Sequence, residues 1–316
     1  MTRRRGFVWP GHSFLGDLAG EPKNSPVIDR LSDEPARRCS GPGPPRYRFG
    51  LWDGSLASVK MAFVYRELRP PPGLSHLACG WIGDGAEARV LPDGCVDVVL
   101  SAGRVVVAGP ATTAVDVAPT PGQHRCGVRF RVGAAGAALG VPANVLRDLS
   151  LPLEELWGAE GRRLSEAVAK AADGGGALAV LAHGLAQPRA PLDLYARQAA
   201  LLATGRPFTE ISRELGFSER QLRRRVEHAV GYGPRTLARV VRLQRFLRAA
   251  ECAPGASLAR LAADAGFADQ AHLARDCRRL TGCSPSMLLS AGATAAGERT
   301  SGSFKPAMSG SATLSR

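Results

Sequence analysis

The sequence predicts an α+β protein with several domains, in which a β-rich N-terminal domain of barrel or sandwich type precedes an all-α C-terminal domain. Three observations support this fold class. Short β-branched runs separated by turn residues fill residues 61–133. Apolar residues take up a helical spacing from about position 138 onward. After position 192, the helical sequence repeats itself at an interval of about fifty residues.

Composition narrows the classes of partner before any motif is considered. Of the 316 residues, 45% are hydrophobic and 22% are charged, which are ordinary values for a globular protein. The 41 Lys and Arg residues against 28 Asp and Glu residues give a net charge of +13. This excess favours an anionic partner, with nucleic acid first and a membrane surface second. A GC-rich genome also enriches Arg, Ala and Gly, so composition leaves both explanations open.

The two ends of the chain lack a folding pattern. Pro and Gly cluster at positions 41–45, and for residues 1–60 we expect a disordered extension or a segment upstream of the true start at Met61. Residues 291–316 are rich in Gly, Ser, Ala and Thr, and we expect a disordered tail there. None of the seven cysteines forms a Cys-x-x-Cys pair, which favours reduced thiols in a cytoplasmic protein. No apolar run approaches the ~18 residues of a spanning helix, so we also predict no membrane contact.

Residues 61–160 are predicted to form the β-rich domain. Strand-like runs at residues 96–100, 104–108 and 126–132 are separated by close turns, which is typical of a small antiparallel barrel or sandwich. The Pro-Asp-Gly run at residues 92–94 is a β-turn by its residue types.

Four residues of this domain carry separate predictions. Asp97 and Arg129 are polar residues inside strand-like runs, and they either form an ion pair or line a small-molecule pocket. Trp81 and Cys95 are predicted in the core, because Trp and Cys are usually well buried.

Helical sequence follows the β-rich pattern. One set of apolar residues recurs at near-helical spacing and predicts a helix: Val145, Leu149, Leu153, Leu156 and Trp157. Residues 161–191 are predicted as a helical connector and linker, since three glycines at 174–176 interrupt its helices and Pro-Arg-Ala-Pro at 188–191 ends it.

Residues 192–290 contain two copies of one pattern. Each copy reads Gly-Phe, a short gap, Leu-x-Arg-x-apolar, four residues and then Gly-x-x-Pro. The first copy runs from Gly216 to Pro234, and the second runs from Gly266 to Pro285. Agreement at six ordered positions is not expected by chance, so the repeat indicates a duplicated structural unit.

Each copy has the features of a helix-turn-helix. Ile211 and Leu215 are i, i+4 neighbours on the first helix of the first copy. Gly216 lies where the chain leaves that helix, in a conformation with positive φ that favours Gly. Ser218 is the predicted N-cap of the next helix. The equivalent residues of the second copy are Leu258, Leu261, Ala265, Gly266 and Asp269.

The second helix of each copy has an apolar and a polar side. Leu222 and Val226 form the inward pair in the first copy, as Leu273 and Cys277 do in the second. The outward residues are Arg220, Arg223, Arg224 and Glu227 in the first copy and Gln270, Ala271, Ala274, Arg275 and Arg278 in the second. Residues 236–250 predict a rigid connecting helix that holds the two units about 34 Å apart.

Residues 192–290 resemble the DNA-binding domain of the AraC/XylS family of bacterial regulators. The resemblance lies in GFSERQLRR (216–224), RVVRLQR (239–245), GFADQAHLAR (266–275) and GCSP (282–285). It implies that base reading falls to Arg220, Arg223, Arg224, Gln270, Ala271, Ala274 and Arg275. The better candidates for phosphate contacts are Arg278, Arg279, Arg242 and Arg245. The alternative for single arginines is pairing with Glu219, Glu227 or Asp276.

The segments 91–97, 127–130, 139–142 and 156–158 resemble a β-rich sensor-like domain found ahead of such DNA-binding units. Together the resemblances imply a sequence-specific regulator, of activator type, that a ligand or self-association of the N-terminal domain modulates. The implied partners are double-stranded operator DNA, a small-molecule effector, RNA polymerase and a second copy of the chain. We expect no cofactor or metal, since His76, His124 and Asp93 lack a metal-ligand spacing.

Two other classes of function compete with this prediction. A DNA-repair alkyl-acceptor protein with a similar DNA-binding domain needs an activated thiolate, usually near a zinc-binding cysteine cluster. The isolated positions of Cys79, Cys95 and Cys126 argue against it. A protein-interaction scaffold needs no specific DNA, and the duplicated outward faces argue against that alternative.

Overall fold

The structure is a computed structural model that describes residues 65–68, 74, 77–120, 124–172 and 174–290. The predictions for residues 1–60 and 291–316 lie outside these ranges. Within them, no helix is both long and apolar enough to cross a membrane.

The β-rich part contains a six-stranded antiparallel sheet and a separate two-stranded ribbon. The strands are β1 (Tyr65–Leu68), β2 (Ala78–Gly83), β3 (Ala88–Val90), β4 (Val96–Ser101), β5 (Arg104–Ala108), β6 (Val115–Val117), β7 (Arg125–Phe130) and β8 (Ser150–Pro152). The large sheet has the order β1-β2-β7-β4-β5-β8, and β3 pairs with β6. The three strand-like runs predicted from the sequence are confirmed as β4, β5 and β7.

The helices follow β7 along the chain. They are α1 (Ala135–Leu139), α2 (Leu153–Trp157), α3 (Ala159–Ala172), α4 (Ala177–Gly184), α5 (Leu194–Leu202), α6 (Phe208–Glu214), α7 (Glu219–Val230), α8 (Pro234–Cys252), α9 (Leu258–Asp264) and α10 (Gln270–Thr281). A 3-10 helix spans Ala143–Val145, and a further helical turn spans residues 285–290. Strand β8 lies between α1 and α2.

The helix predicted across Val145 and Leu149 is wrong. These two side chains are 38% and 50% exposed, and the chain forms the 3-10 helix and then β8 instead. Pro142 and Pro152 stand before the 3-10 helix and before α2. Because proline has no backbone N–H to donate within a helix, the segment is divided and β8 pairs with β5 at the edge of the sheet.

One face of the sheet packs against α3 and α4. Val98 and Val128 of the sheet share a buried apolar cluster with Val168 of α3 and with Leu181 of α4. The segment predicted as a connector therefore contributes side chains to the core of the β-rich part, because its helices are amphipathic and bury their apolar sides on the sheet.

The opposite face of the sheet carries a buried ion-pair cluster. Register places Asp97 beside Arg129, so their side chains leave the same face. Arg129 is 1% exposed, and its Nε and Nη2 donate to the Asp97 carboxylate at 3.1 Å. Its Nη1 lies 3.4 Å from Asp93, and Trp81 Nε1 donates to Asp97 at 2.8 Å. Of the two predictions for Asp97 and Arg129, the ion pair is confirmed, as is the burial of Trp81.

The helices from α5 onward enclose a second core that extends into the β-rich part. Leu237 and Phe246 of α8 lie in the same buried cluster as Leu91, Cys95 and Val132. The burial predicted for Cys95 is thus confirmed, although the apolar cluster it joins is that of the C-terminal helices. The two parts of the chain are joined by continuous apolar packing.

The turn at residues 92–95 is held by residues of the helical part. Gln244 Nε2 donates a buried hydrogen bond of 2.7 Å to the Pro92 carbonyl. A Cβ on Gly94 would lie 3.3 Å from Tyr232 Oη. Burial, followed by the charge of Asp93, raises the pKa of Tyr232 well above its ordinary value, so this hydroxyl stays neutral.

The end of α7 packs tightly against the β-rich part. Gly231, which ends α7 with a φ of 100°, lies so close to Pro110 that an added Cβ would be 2.3 Å from its Cγ. Gly216, which ends the turn after α6 with a φ of 73°, has no atom within 4 Å of such a Cβ. Both positions favour Gly by backbone conformation, and only Gly231 also lacks space.

We predict that Gly231→Ala lowers the free energy of unfolding by about 3 kcal/mol, because backbone strain and a steric clash add together. Gly216→Ala, which suffers the strain alone, is expected to cost about 1 kcal/mol. Urea unfolding of both variants followed by circular dichroism measures the difference. Equal losses would show that the end of α7 is not packed on Pro110.

Candidate nucleic-acid interface

Helices α6 and α7 form the first repeated unit as predicted. Gly216 has positive φ between them. Ser218 caps α7 in a capping box: its Oγ accepts from Gln221 N at 3.3 Å, while its own N donates to Gln221 Oε1 at 3.1 Å. Ile211 and Leu222 are fully buried between the two helices and their neighbours. The turn and the cap together determine the direction in which α7 leaves the unit.

Helices α9 and α10 form the second unit in the same way. Gly266 has a φ of 85°, and Asp269 Oδ1 accepts from His272 N at 2.6 Å to cap α10. Leu273 and Cys277 are completely buried, as the repeat predicted. Both units thus place an amphipathic helix with its apolar side in one core.

The predicted reading residues lie on the polar sides of α7 and α10. In α7, Arg220, Arg223 and Arg224 are all exposed. In α10, the exposed residues are Gln270, Ala271, Arg275 and Arg278, while Ala274 is half-buried. Each helix therefore presents one exposed surface on the side opposite its buried apolar residues.

Among the described residues, the arginines predicted to read bases are paired only weakly. Arg223 Nη2 lies 3.7 Å from Glu219 Oε2, and both side chains are exposed, so this pair contributes little to stability. Glu227 lies beside Arg147 of the β-rich part instead of a reading arginine. Asp276, the third partner considered from the sequence, faces α8.

Asp276 joins α10 to α8. Its carboxylate is nearly buried and lies 3.2 Å from Arg242 Nη2, 3.6 Å from Arg239 Nε and 3.5 Å from His272 Nε2. Sequence reasoning missed this group of contacts. The spacing in the sequence could have predicted it: Asp276 follows the inward residue Leu273 by three positions, so it falls near the inward side of α10.

Arg242 and Arg245 do not have the positions predicted for phosphate contacts. The Arg242 guanidinium binds Asp276 and lies 5.4 Å from the centre of the Phe267 ring. Arg245 donates to the carbonyl and the hydroxyl of Thr204, both at 3.3 Å, and burial lowers its pKa from the ordinary value. Arg242 thus ties α8 to α10, and Arg245 ties α8 to the turn that follows α5. Arg278 and Arg279 remain exposed in the last turn of α10.

Arg225 also has a structural position that the sequence did not reveal. Its Nε and Nη2 donate to the two carboxylate oxygens of Asp193, at 2.9 and 3.1 Å. The guanidinium lies 4.8 Å from the centre of the Phe217 ring. Asp193 is the N-cap of α5, so this contact fixes the start of α5 against α7.

The cysteines considered for alkyl transfer are in the wrong protonation state for it. Burial raises the pKa of Cys79 to about 12 and that of Cys126 to about 11. Burial, with Asp93 nearby, also raises the pKa of Cys95 well above its ordinary value. These thiols stay neutral at ordinary pH, whereas an alkyl acceptor attacks as a thiolate. In the described ranges, no group of three potential metal ligands is found.

Comparison with known families decides the nature of the repeated units. Residues 211–291 match a family described as a helix-turn-helix domain. The C-terminal block is an AraC-type helix-turn-helix domain. With this domain, the chain is a DNA-binding transcriptional regulator. Helices α7 and α10 each stand second in their unit, the place of the predicted recognition helix.

Residues 66–152, which lie ahead of the helix-turn-helix domain, match a family described as a domain of unknown function, DUF6597. No curated protein matches the chain. The matched region covers the sheet, so it coincides with the part that the sequence predicted as β-rich.

Among solved structures, ToxT from Vibrio cholerae O395 aligns at 13% identity over 74% of this chain and 96% of that chain, with a TM-score of 0.38. ToxT bound to (E)-4-(8-methylnaphthalen-1-yl)but-3-enoic acid aligns at 12% identity over 74% of this chain and 97% of that chain, again with a TM-score of 0.38.

Two arginines of the helix-turn-helix domain are expected to respond differently to truncation. Arg278→Ala removes an exposed charge, so it should change the free energy of unfolding by less than about 0.5 kcal/mol. It should also lower the slope of log affinity for DNA against log salt concentration by about 1, the value for one lost phosphate contact. Arg242→Ala removes a bond to the buried Asp276 and should cost about 2 kcal/mol of stability.

Urea unfolding and binding titrations to random duplex DNA at several salt concentrations measure both quantities. The same fall in salt dependence for Arg242→Ala, with unchanged stability, would contradict the placement of Arg242.

Proposed function

We propose that this protein reads a bipartite operator with its two recognition helices and regulates transcription in response to a signal received by its N-terminal domain. One observation carries the proposal: two equivalent helices, each capped and anchored in the same core, present exposed polar surfaces. A helix of this kind fits the major groove of DNA. Duplicated surfaces on one chain suit two adjacent half-sites.

The side chains on these surfaces have the chemistry that base reading needs. Arg220, Arg223 and Arg224 of α7 can form bidentate contacts with guanine. On α10, Arg275 can do the same and Gln270 can contact adenine.

Small and cationic residues of α10 complete this assignment. Ala271 and Ala274 leave room for thymine methyl groups. Arg278 and Arg279 lie in the last turn of α10 and are suited to phosphate contacts, which orient the protein without reading sequence.

The response of the regulator is assigned to the N-terminal domain because that domain shares a core with the helix-turn-helix domain. A small-molecule effector, or self-association of two chains, is proposed to change this packing. The regulated step is proposed to be activation, through contact with RNA polymerase in the cytoplasm.

The test is selection of bound sequences from random duplex DNA by the full chain and by two variants, Arg223→Ala and Arg275→Ala. The wild type should enrich two half-sites about one helical turn apart. Each variant should relax a different half-site and weaken binding by about tenfold or more, since a bidentate contact discriminates by about 1 to 3 kcal/mol.

Arg104→Ala, a substitution at an exposed position of the N-terminal domain, is the matched control and should leave both half-sites intact. Uniform, salt-sensitive binding with no enriched motif would mean that only phosphate is contacted, and the proposal would be withdrawn.

A further inference from the structure

The N-terminal domain contacts both recognition helices at equivalent points. Helix α7 ends at Gly231 and α10 ends at Gly282, and both glycines have positive φ. They occupy the same position of the repeat, where the sequence reads Gly-x-x-Pro. At each of these ends, an arginine of the N-terminal domain reaches a backbone carbonyl.

The contact at the end of α10 is the more extensive one. Arg89 Nη2 donates to the Thr281 carbonyl at 2.8 Å. Its Nη1 binds the two carboxylate oxygens of Asp116 at 2.6 and 2.8 Å, and Arg89 and Asp116 are direct neighbours in the β3/β6 ribbon. Nearby, the backbone N–H of Ala114 donates to the Leu280 carbonyl at 2.7 Å. The ribbon thus holds the last turn of α10.

The contact at the end of α7 uses Arg147, which follows the 3-10 helix. Its Nη1 lies 3.5 Å from the Gly231 carbonyl and 3.6 Å from Glu227 Oε1. Pro110 fills the space against Gly231. A cation at this place is favoured, because the carbonyls at a helix C-terminus lack intrahelical partners.

These contacts leave the reading surfaces uncovered. Arg220 and Arg224 on α7, and Gln270 and Arg275 on α10, stay exposed while both helix ends are held. The contacts made by the N-terminal domain therefore lie at the ends of the helices, apart from these exposed side chains. The domain thus forms a second bridge between the recognition helices, in addition to the connecting helix α8.

We infer that Arg89 and Arg147 are positioning residues that set the separation of the two recognition helices and thereby select the spacing of the operator half-sites. A protein that holds both helices at the correct distance before binding loses less conformational freedom on binding. The helix separation is a property of the free protein, whereas the selection of spacing rests on the proposed function.

The first experiment measures the helix separation without DNA. Spin labels are attached to the full chain at Arg224→Cys and Arg275→Cys, which are exposed and occupy the same position of the repeat. Cys39, Cys252 and Cys283 are replaced by Ser, and Cys79, Cys95, Cys126 and Cys277 are retained, because burial raises the pKa of each thiol and slows its reaction with the label. Pulsed electron paramagnetic resonance should give one narrow distance, and adding Arg89→Ala with Arg147→Ala should broaden or shift it.

The second experiment repeats the DNA selection with an unlabelled Arg89→Ala, Arg147→Ala protein. Both half-site motifs should persist, while the preference for one spacing is lost and affinity for the wild-type site falls by about tenfold. Arg104→Ala with Arg163→Ala is the control, since it removes the same charge from exposed positions of β5 and α3. Arg89→Lys with Arg147→Lys keeps a cationic donor and should recover part of the spacing preference.

The outcomes separate the two proposals. An unchanged distance distribution in the alanine variant overturns the inference, and so does an unchanged spacing preference at lower affinity. If the wild type enriches no motif, the proposed function fails while the distance measurement still decides whether the arginines position the helices. A thermal unfolding curve for every variant confirms that it is folded under the conditions of the assay.

Discussion

The buried guanidinium of Arg129 is the constraint on which much of the structure depends. A charge that is removed from water must be neutralised by partners with good geometry, and here Asp97 and Asp93 supply them. Asp97 comes from the neighbouring strand, so this pair requires the observed register of β4 and β7. Asp93 lies in the turn that leads into β4. The cluster therefore orders the turn as well as the sheet.

That turn connects the sheet to the DNA-binding part of the chain. Asp93 Oδ1 accepts a hydrogen bond from Cys95 N, which keeps the turn compact, and Gln244 of α8 binds the Pro92 carbonyl on its other side. Leu91 precedes the turn and Cys95 ends it, and both side chains enter the core of the helices. The ion-pair cluster is therefore linked to α8 by a continuous set of hydrogen bonds and apolar contacts.

Local features of the helix-turn-helix units were predictable from the sequence. Gly216, Ser218 and Leu222 determine the turn, the cap and the buried side through contacts with residues only a few positions away, so their residue types were sufficient to predict these features. Long-range partners were not predictable. Arg242 binds Asp276, which lies thirty-four positions away in the sequence, and nothing in its residue type distinguishes Arg242 from the exposed arginines of the same domain. The strand β8 was missed for a related reason, since a few apolar residues fit a helical and an extended spacing equally well.

The shared core also bears on how such a chain can be recombined. The Pro-Arg-Ala-Pro segment at residues 188–191 looks like a natural cutting point between two modules. A helix-turn-helix domain excised there would leave Leu237 and Tyr232 facing water in place of Leu91, Cys95 and Val132. Grafting a foreign sensor at that point would need a replacement for the apolar surface of the turn at residues 91–95. The two parts of this protein therefore cannot be exchanged as independent modules at the linker, because their common core extends to α8.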